Sequence, residues 1–210
     1  MGRMSPDITE NLLPLLHGGE RILDVGCGDA SLLRQLSGRG LRLFGVDPAI
    51  VAGAAPDSHR ADAPGEITLL RATAESLPFE DGFFDAVILQ CVFSLCRPVE
   101  AAGELSRVLK SGGRLILSDL YTETAGQETV FSDSPLLSRL WSKAHLEEFL
   151  SPRFRLTAFQ DLTPALTEMI LSAIWDGDED DCASCTDLHA LRRAGARYGL
   201  WVWEKPIPGQ

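Results

Sequence analysis

An aspartate just ahead of two closely spaced glycines, Asp24-Val-Gly26-Cys27-Gly28, is the stretch of this chain best suited to holding a small charged molecule. Glycine serves where a backbone must bend sharply or let a ligand come close. The apolar residues Ile22, Leu23 and Val25 precede the turn, and Leu32, Leu33 and Leu36 follow it at helix spacing. The spacing predicts a buried strand, a tight glycine turn and a helix starting near Asp29 or Ala30. The first N–H groups of such a helix are unpaired and suit an anion such as a carboxylate. A second acid, Asp47, followed by Pro48, ends another apolar run about 20 residues past the turn, where a carboxylate can accept bonds from both hydroxyls of a ribose. The dinucleotide fingerprint G-x-G-x-x-G/A fails here, because Ser31 stands at its sixth position.

A second set of reactive types lies near the C-terminus. Cys182-x-x-Cys185 with His189 has metal-ligand types at usable spacing, within an acidic run that otherwise reads as a solvated loop. It is half of a metal site, and three readings stay open: loop thiols, a metal or metalloid contact, and a redox pair. Cys91 and Cys96 flank a short segment after a strand. They are either substrate-facing thiols or small apolar core residues.

The elements that must position these groups follow from the apolar runs. Strands are expected at Leu41–Val46, Ile67–Arg71, Phe83–Gln90, Gly113–Tyr121, Phe154–Phe159 and Arg197–Glu204, besides the one before the glycine turn. Helices are expected within residues 5–17, from Pro98 to Leu109, from Lys143 to Leu150 behind a Ser142 cap, and after Thr163-Pro164. Alternation of strand and helix implies a largely parallel α/β sheet. His59 reads as a surface residue among small, turn-rich neighbours.

The 210 residues suit one domain, and a 45% hydrophobic fraction supplies a real core. The net charge of −11 opposes a phosphate backbone, so nucleic acid is not expected as a partner. No apolar run reaches the ~20 residues of a membrane span, and the start lacks a signal-peptide core. Five cysteines, without secretory context, read as reduced thiols of a cytoplasmic protein. These features assign no oligomeric state.

The Asp-x-Gly-x-Gly pattern resembles motif I of the class I S-adenosylmethionine-dependent methyltransferases. Three more segments carry the same resemblance over roughly residues 20–121. Thr73-Ala-Glu-Ser-Leu-Pro-Phe79 is similar to the family's Asp-Ala-Glu-x-Leu-Pro-Phe, with Thr73 in place of Asp. Phe84-Asp85 opens an apolar strand of the family type. Arg107-Val-Leu-Lys-Ser-Gly-Gly113 is similar to Arg-Val-Leu-Lys-Pro-Gly-Gly, with Ser111 in place of Pro.

The resemblance implies a Rossmann-like seven-stranded sheet, mostly parallel with an antiparallel last strand and helices on both faces. It implies one domain over residues 1–210, with 122–141 and 175–190 as substrate-side loops or lids. It implies S-adenosyl-L-methionine as cofactor. Gly26, Cys27 and Gly28 would pack on its methionine part, with Asp24 orienting the amino group. Asp47 and Pro48 would meet the ribose, Thr73, Ala74 and Glu75 the adenine edge, the Gln90 backbone the methionine amine, and Phe93 would cover the cofactor. Cys91, Asp119, Tyr121 and His145 are the candidates on the acceptor side. No catalytic residue or metal is assigned. The expected reaction is in-line displacement at the sulfonium methyl, in which the protein supplies alignment and desolvation. A general base is needed only if the acceptor must lose a proton. The acceptor is expected to be a small molecule, since the sequence looks like the group that contains quinone-biosynthesis and arsenite methyltransferases. The alternatives are a non-catalytic cofactor-binding protein, a metal- or metalloid-handling protein using Cys182 and Cys185, and an NAD enzyme.

Overall fold

The computed structural model describes residues 6–51, 65–124, 129–130, 139–168 and 195–209. The apolar runs form β1 (Arg21–Val25), β2 (Arg42–Val46), β3 (Ile67–Leu70), β4 (Phe84–Gln90) and β5 (Leu109–Thr122), all parallel. Two short strands follow, β6 (Thr129–Val130) and β7 (Arg139–Ser142), then β8 (Arg155–Asp161) and β9 (Arg197–Glu204). Of nine strands, β6 and β7 lie at one end of β5, which leaves seven in the order β3-β2-β1-β4-β5-β9-β8. β9 runs antiparallel between β5 and β8, so among these seven described strands it alone is reversed.

The helices are α1 (Thr9–Leu12), which tightens into a 3-10 turn at Leu13–Leu15, then α2 (Ser31–Leu36), α3 (Pro98–Val108) and α4 (Lys143–Leu150). Residues 163–168 are also helical. Successive strand residues face opposite sides of a sheet. Val87 and Leu89 of β4 therefore join Ala101, Leu105 and Val108 of α3 and Leu146 and Leu150 of α4. Ala86 and Ile88 join Leu12 of α1 and Leu32, Leu33 and Leu36 of α2 on the other side. Helices cover both faces, which is why the central strands read as unbroken apolar runs.

Two motif segments prove to be braces. The Arg107 guanidinium donates to the carbonyls of Leu77 (2.9 Å) and Phe79 (2.7 Å) and to Glu104 (2.7 Å), tying the Leu77-Pro-Phe79 loop to α3. Gly113 has to be glycine, because a Cβ there would lie 2.8 Å from the Lys110 carbonyl oxygen. Neither feature needs a proline at 111.

Some boundaries differ from expectation. β5 starts at Leu109, directly out of α3, and runs on to Thr122. Within 122–141, residues 122, 129–130 and 139–141 are strand rather than loop: Trp141 and Ser142 of β7 pair parallel with Tyr121 and Thr122. Leu140 and Trp141 are buried, and that burial outweighs the missing periodicity of so short a strand. Residues 125–128 and 131–138 of that segment lie outside the described residues. So do His59, the segment 175–190 with Cys182, Cys185 and His189, and Met169, Ile170, Ala173 and Ile174. Among the described residues no helix is long and apolar enough to cross a membrane.

Candidate cofactor and active site

Strand order reverses between β1 and β4, and open α/β sheets bind ligands outside the carboxyl ends of their strands at such a point. A cavity of about 620 Å³ lies there, within the range of small-molecule sites. Its lining includes Asp24, Gly26, Cys27, Gly28, Asp47, Pro48, Thr73, Ala74, Glu75, Gln90 and Cys91. Residues from four separate stretches of sequence are thus brought together.

The glycine turn is shaped by backbone geometry. Gly26 has φ +75°, and a Cβ on it would fall 2.3 Å from Cγ2 of Val92. Gly26→Ala is therefore expected to cost about 2–3 kcal/mol, from left-handed strain plus overpacking. It should also push Val92 away from the cavity. A thermal melt and a cofactor titration would check both effects, and an unchanged melting temperature would contradict them.

At the start of α2 the first N–H is already met by a carboxylate of the chain itself. The Ser31 N–H donates to Asp29 Oδ1 at 3.0 Å, and the Gly28 N–H donates to Asp47 Oδ2 at 3.0 Å. The Ala49 N–H donates to Asp47 Oδ1 at 2.8 Å, so each oxygen of Asp47 is fixed by a backbone donor and keeps a lone pair to spare. Asp24 is 3% exposed. Its pKa is pushed up to about 7, by burial first and then by the charge of Asp47. Burial would raise Glu75 as well, but the Arg97 N–H (2.9 Å), the Thr73 hydroxyl and its own N–H hold it below the usual range. Among the described lining residues the charged groups are Asp24, Asp29, Asp47 and Glu75, with no Lys or Arg. Such a lining suits a cationic ligand and opposes a pyrophosphate.

Cys91 closes β4 with φ +55°. Its N–H donates to the Ser118 carbonyl at 2.8 Å, and its thiol lies 3.7 Å from the Tyr198 hydroxyl, which donates to Ser118 Oγ at 3.0 Å. Burial, then nearby carboxylates, pushes the thiols of Cys27 and Cys96 up to about 12, and Cys91 rises for the same reasons. A thiol is nucleophilic only as thiolate. These three cysteines should resist iodoacetamide in the native protein near neutral pH and react once it is unfolded. Peptide mass mapping would show this, and fast native labelling of any of them would contradict it.

Four sequence candidates do not reach the cavity. Phe93 is 1% exposed and stacks on Trp141 at 6.0 Å, behind the cavity wall. Asp119 is buried beneath the turn that follows β4 and accepts the Ser94 N–H at 2.9 Å. Tyr121 packs edge-on against Trp201 (5.3 Å) and Phe159 (5.6 Å) in the core. His145 is exposed on α4 against Trp141, at 5.1 Å. Conversely, Asp29, Ser31, Val92, Leu95 and Cys96 also line the cavity. Their nearness to Gly28 and Gln90 in sequence was the available signal. Tyr198 had none, since it reaches Cys91 from the last strand. Among the described residues no group of three or more His, Cys, Asp or Glu could hold a metal ion.

The methyltransferase domain model matches residues 23–117. A demethylmenaquinone methyltransferase of Thermus thermophilus is 40% identical over 111 residues, 50% of this chain and 49% of that protein. A ubiquinone/menaquinone biosynthesis C-methyltransferase of Rhizobium leguminosarum is 31% identical over 147 residues, 66% of this chain and 54% of that protein. The chain spans about half the length of the curated relatives it matches. Among solved structures, geranyl diphosphate C-methyltransferase from Streptomyces coelicolor, in complex with S-adenosyl-L-homocysteine, superposes with a TM-score of 0.74 at 20% identity. That match covers 94% of this chain and 76% of the other. The cyclase SpnF superposes at 0.73 with 24% identity, covering 95% and 81%, so the fold is not tied to one reaction. Residues 23–117 are thus similar to the methyltransferase domain family, and the sheet built around them has the fold of these solved structures.

Proposed function

We propose that this protein binds S-adenosyl-L-methionine in the cavity at the ends of β1, β2 and β4 and transfers its methyl group to a small-molecule acceptor by in-line displacement. The observation that carries the reading is the lining: four carboxylates and no described cation, around a glycine turn with a pre-set Asp47. S-adenosylmethionine brings an ammonium, a ribose diol and a sulfonium that activates the methyl group. Asp24 would hold the ammonium, Asp47 the diol, and Thr73, Ala74 and Glu75 the base edge. Cys91, Val92, Leu95 and Cys96 would exclude water beside the reacting end. The names of the quinone-biosynthesis relatives put demethylated quinols first among acceptors to try. Residues 1–210 act as one domain in this reading.

The test is incubation with methyl-labelled S-adenosylmethionine and a panel of small acceptors that begins with demethylated quinols. Label transfer to one of them is expected. Tight cofactor binding without transfer to any acceptor would favour the alternative of a non-catalytic cofactor-binding protein.

A further inference from the structure

The turn after β4 forms one wall of the cavity and is held from behind. Gln90 is the last β4 residue in register with β5, opposite Ser118. Beyond that point β5 continues as a platform beneath the turn. The Ser118 carbonyl takes the Cys91 N–H at 2.8 Å. The chain then makes a short 3-10 turn, Phe93–Leu95, with no side-chain cap of its own. The first N–H groups of a helical turn have no partner within it. Here they are met by a carboxylate from another strand. Asp119 Oδ2 accepts the Ser94 N–H at 2.9 Å, and the carboxylate also takes the Phe93 N–H and the Ser94 hydroxyl. Its Oδ1 accepts the Leu120 N–H at 2.8 Å. On its other side the turn presents Val92, Leu95 and Cys96 to the cavity.

We propose that Asp119 is a positioning residue: by capping the Phe93–Leu95 turn from beneath, it fixes the cavity wall formed by Val92, Leu95 and Cys96 against the bound cofactor. The inference rests on the reading of the cavity as an S-adenosylmethionine site. It reassigns Asp119 from acceptor contact to support. Both carboxylate oxygens are engaged by donors, so asparagine cannot substitute. Its amide would turn a donor toward one of those N–H groups, and the turn would have to shift.

Calorimetric titration with S-adenosylmethionine of wild type, Asp119→Asn and Ser94→Ala, beside thermal melts, tests this. Ser94→Ala keeps the backbone donor and should bind within about twofold of wild type, whereas Asp119→Asn should bind about tenfold more weakly. A folded Asp119→Asn that binds like wild type overturns the proposal, even if it melts earlier, because a merely structural role moves only the melt. Failure of wild type to bind would instead strike the cofactor reading. Should Asp119→Asn not fold, hydrogen exchange of the wild type decides. Amides of residues 92–96 should slow on adding S-adenosylmethionine, and no change there overturns the proposal.

Discussion

Asp47→Ala is expected to weaken S-adenosylmethionine binding about 30- to 100-fold, the loss of two charge-assisted hydrogen bonds. The carboxylate stands at the end of β2, held by the Gly28 and Ala49 N–H groups at 3.0 and 2.8 Å. Held in this way, it loses little side-chain freedom when it accepts a diol. Asp47→Asn should fall between wild type and alanine, because one acceptor oxygen remains. Loss of Asp47 also removes one of the two causes that raise Asp24. The pH dependence of the remaining binding should therefore move to lower pH. Calorimetry at about pH 8 with the three proteins gives the ranking. Equal affinities would show that Asp47 does not touch the ligand.

Asp24 governs the second large effect. Its pKa stands at about 7 in the native protein, against an ordinary value of 3.8. The native state therefore holds a proton that the unfolded chain has lost between those values. Stability falls as pH rises through that window and stays lowered above it. Three pK units correspond to about 4 kcal/mol, as an order of magnitude. Asp24→Asn should accordingly raise the melting temperature of the ligand-free protein at about pH 8 and change it little at about pH 4, where the aspartate is already neutral. Binding moves the other way. A cationic ligand favours the ionised carboxylate, so affinity should rise with pH up to about 7 and then level off. In Asp24→Asn that rise should flatten, with affinity about tenfold lower at about pH 8. The residue thus exchanges stability for binding. A variant that is both less stable and tighter binding at pH 8 would refute this account of Asp24. The other titratable groups lining the cavity are Asp29, Asp47, Glu75 and the high thiols of Cys27, Cys91 and Cys96.

The contrast between Asp24 and Asp119 shows what was legible in sequence. Asp24 could be placed because strand, glycine turn and helix are contiguous, and local spacing fixes which residues face a ligand. The same held for Asp47, Ala74 and Gln90, which stand at or just past the ends of apolar runs. Asp119 and Tyr121 lie within the last residues of β5, and neither lines the cavity. Strand parity puts Tyr121 on the side where Trp201 and Phe159 close over it, and β9 comes from far along the chain. The turn over Asp119 depends on how far β5 extends past β4, which is a property of register and not of composition. Phe93 packs away from the lining for a related reason: its partner Trp141 lies in β7, four residues long. The fold order was readable because the central strands β1, β2, β4 and β9 are buried on both faces. The tertiary partners of strand-end side chains were not.

The acidic, glycine-edged cavity is expected to take S-adenosylmethionine and not a dinucleotide. Calorimetric titration of the wild-type protein with S-adenosylmethionine and, separately, with NADH tests it most directly. Micromolar binding of the first and none of the second is expected, since a pyrophosphate would face Asp24, Asp29, Asp47 and Glu75 without a described cation. Tight binding of NADH with no binding of S-adenosylmethionine would contradict it.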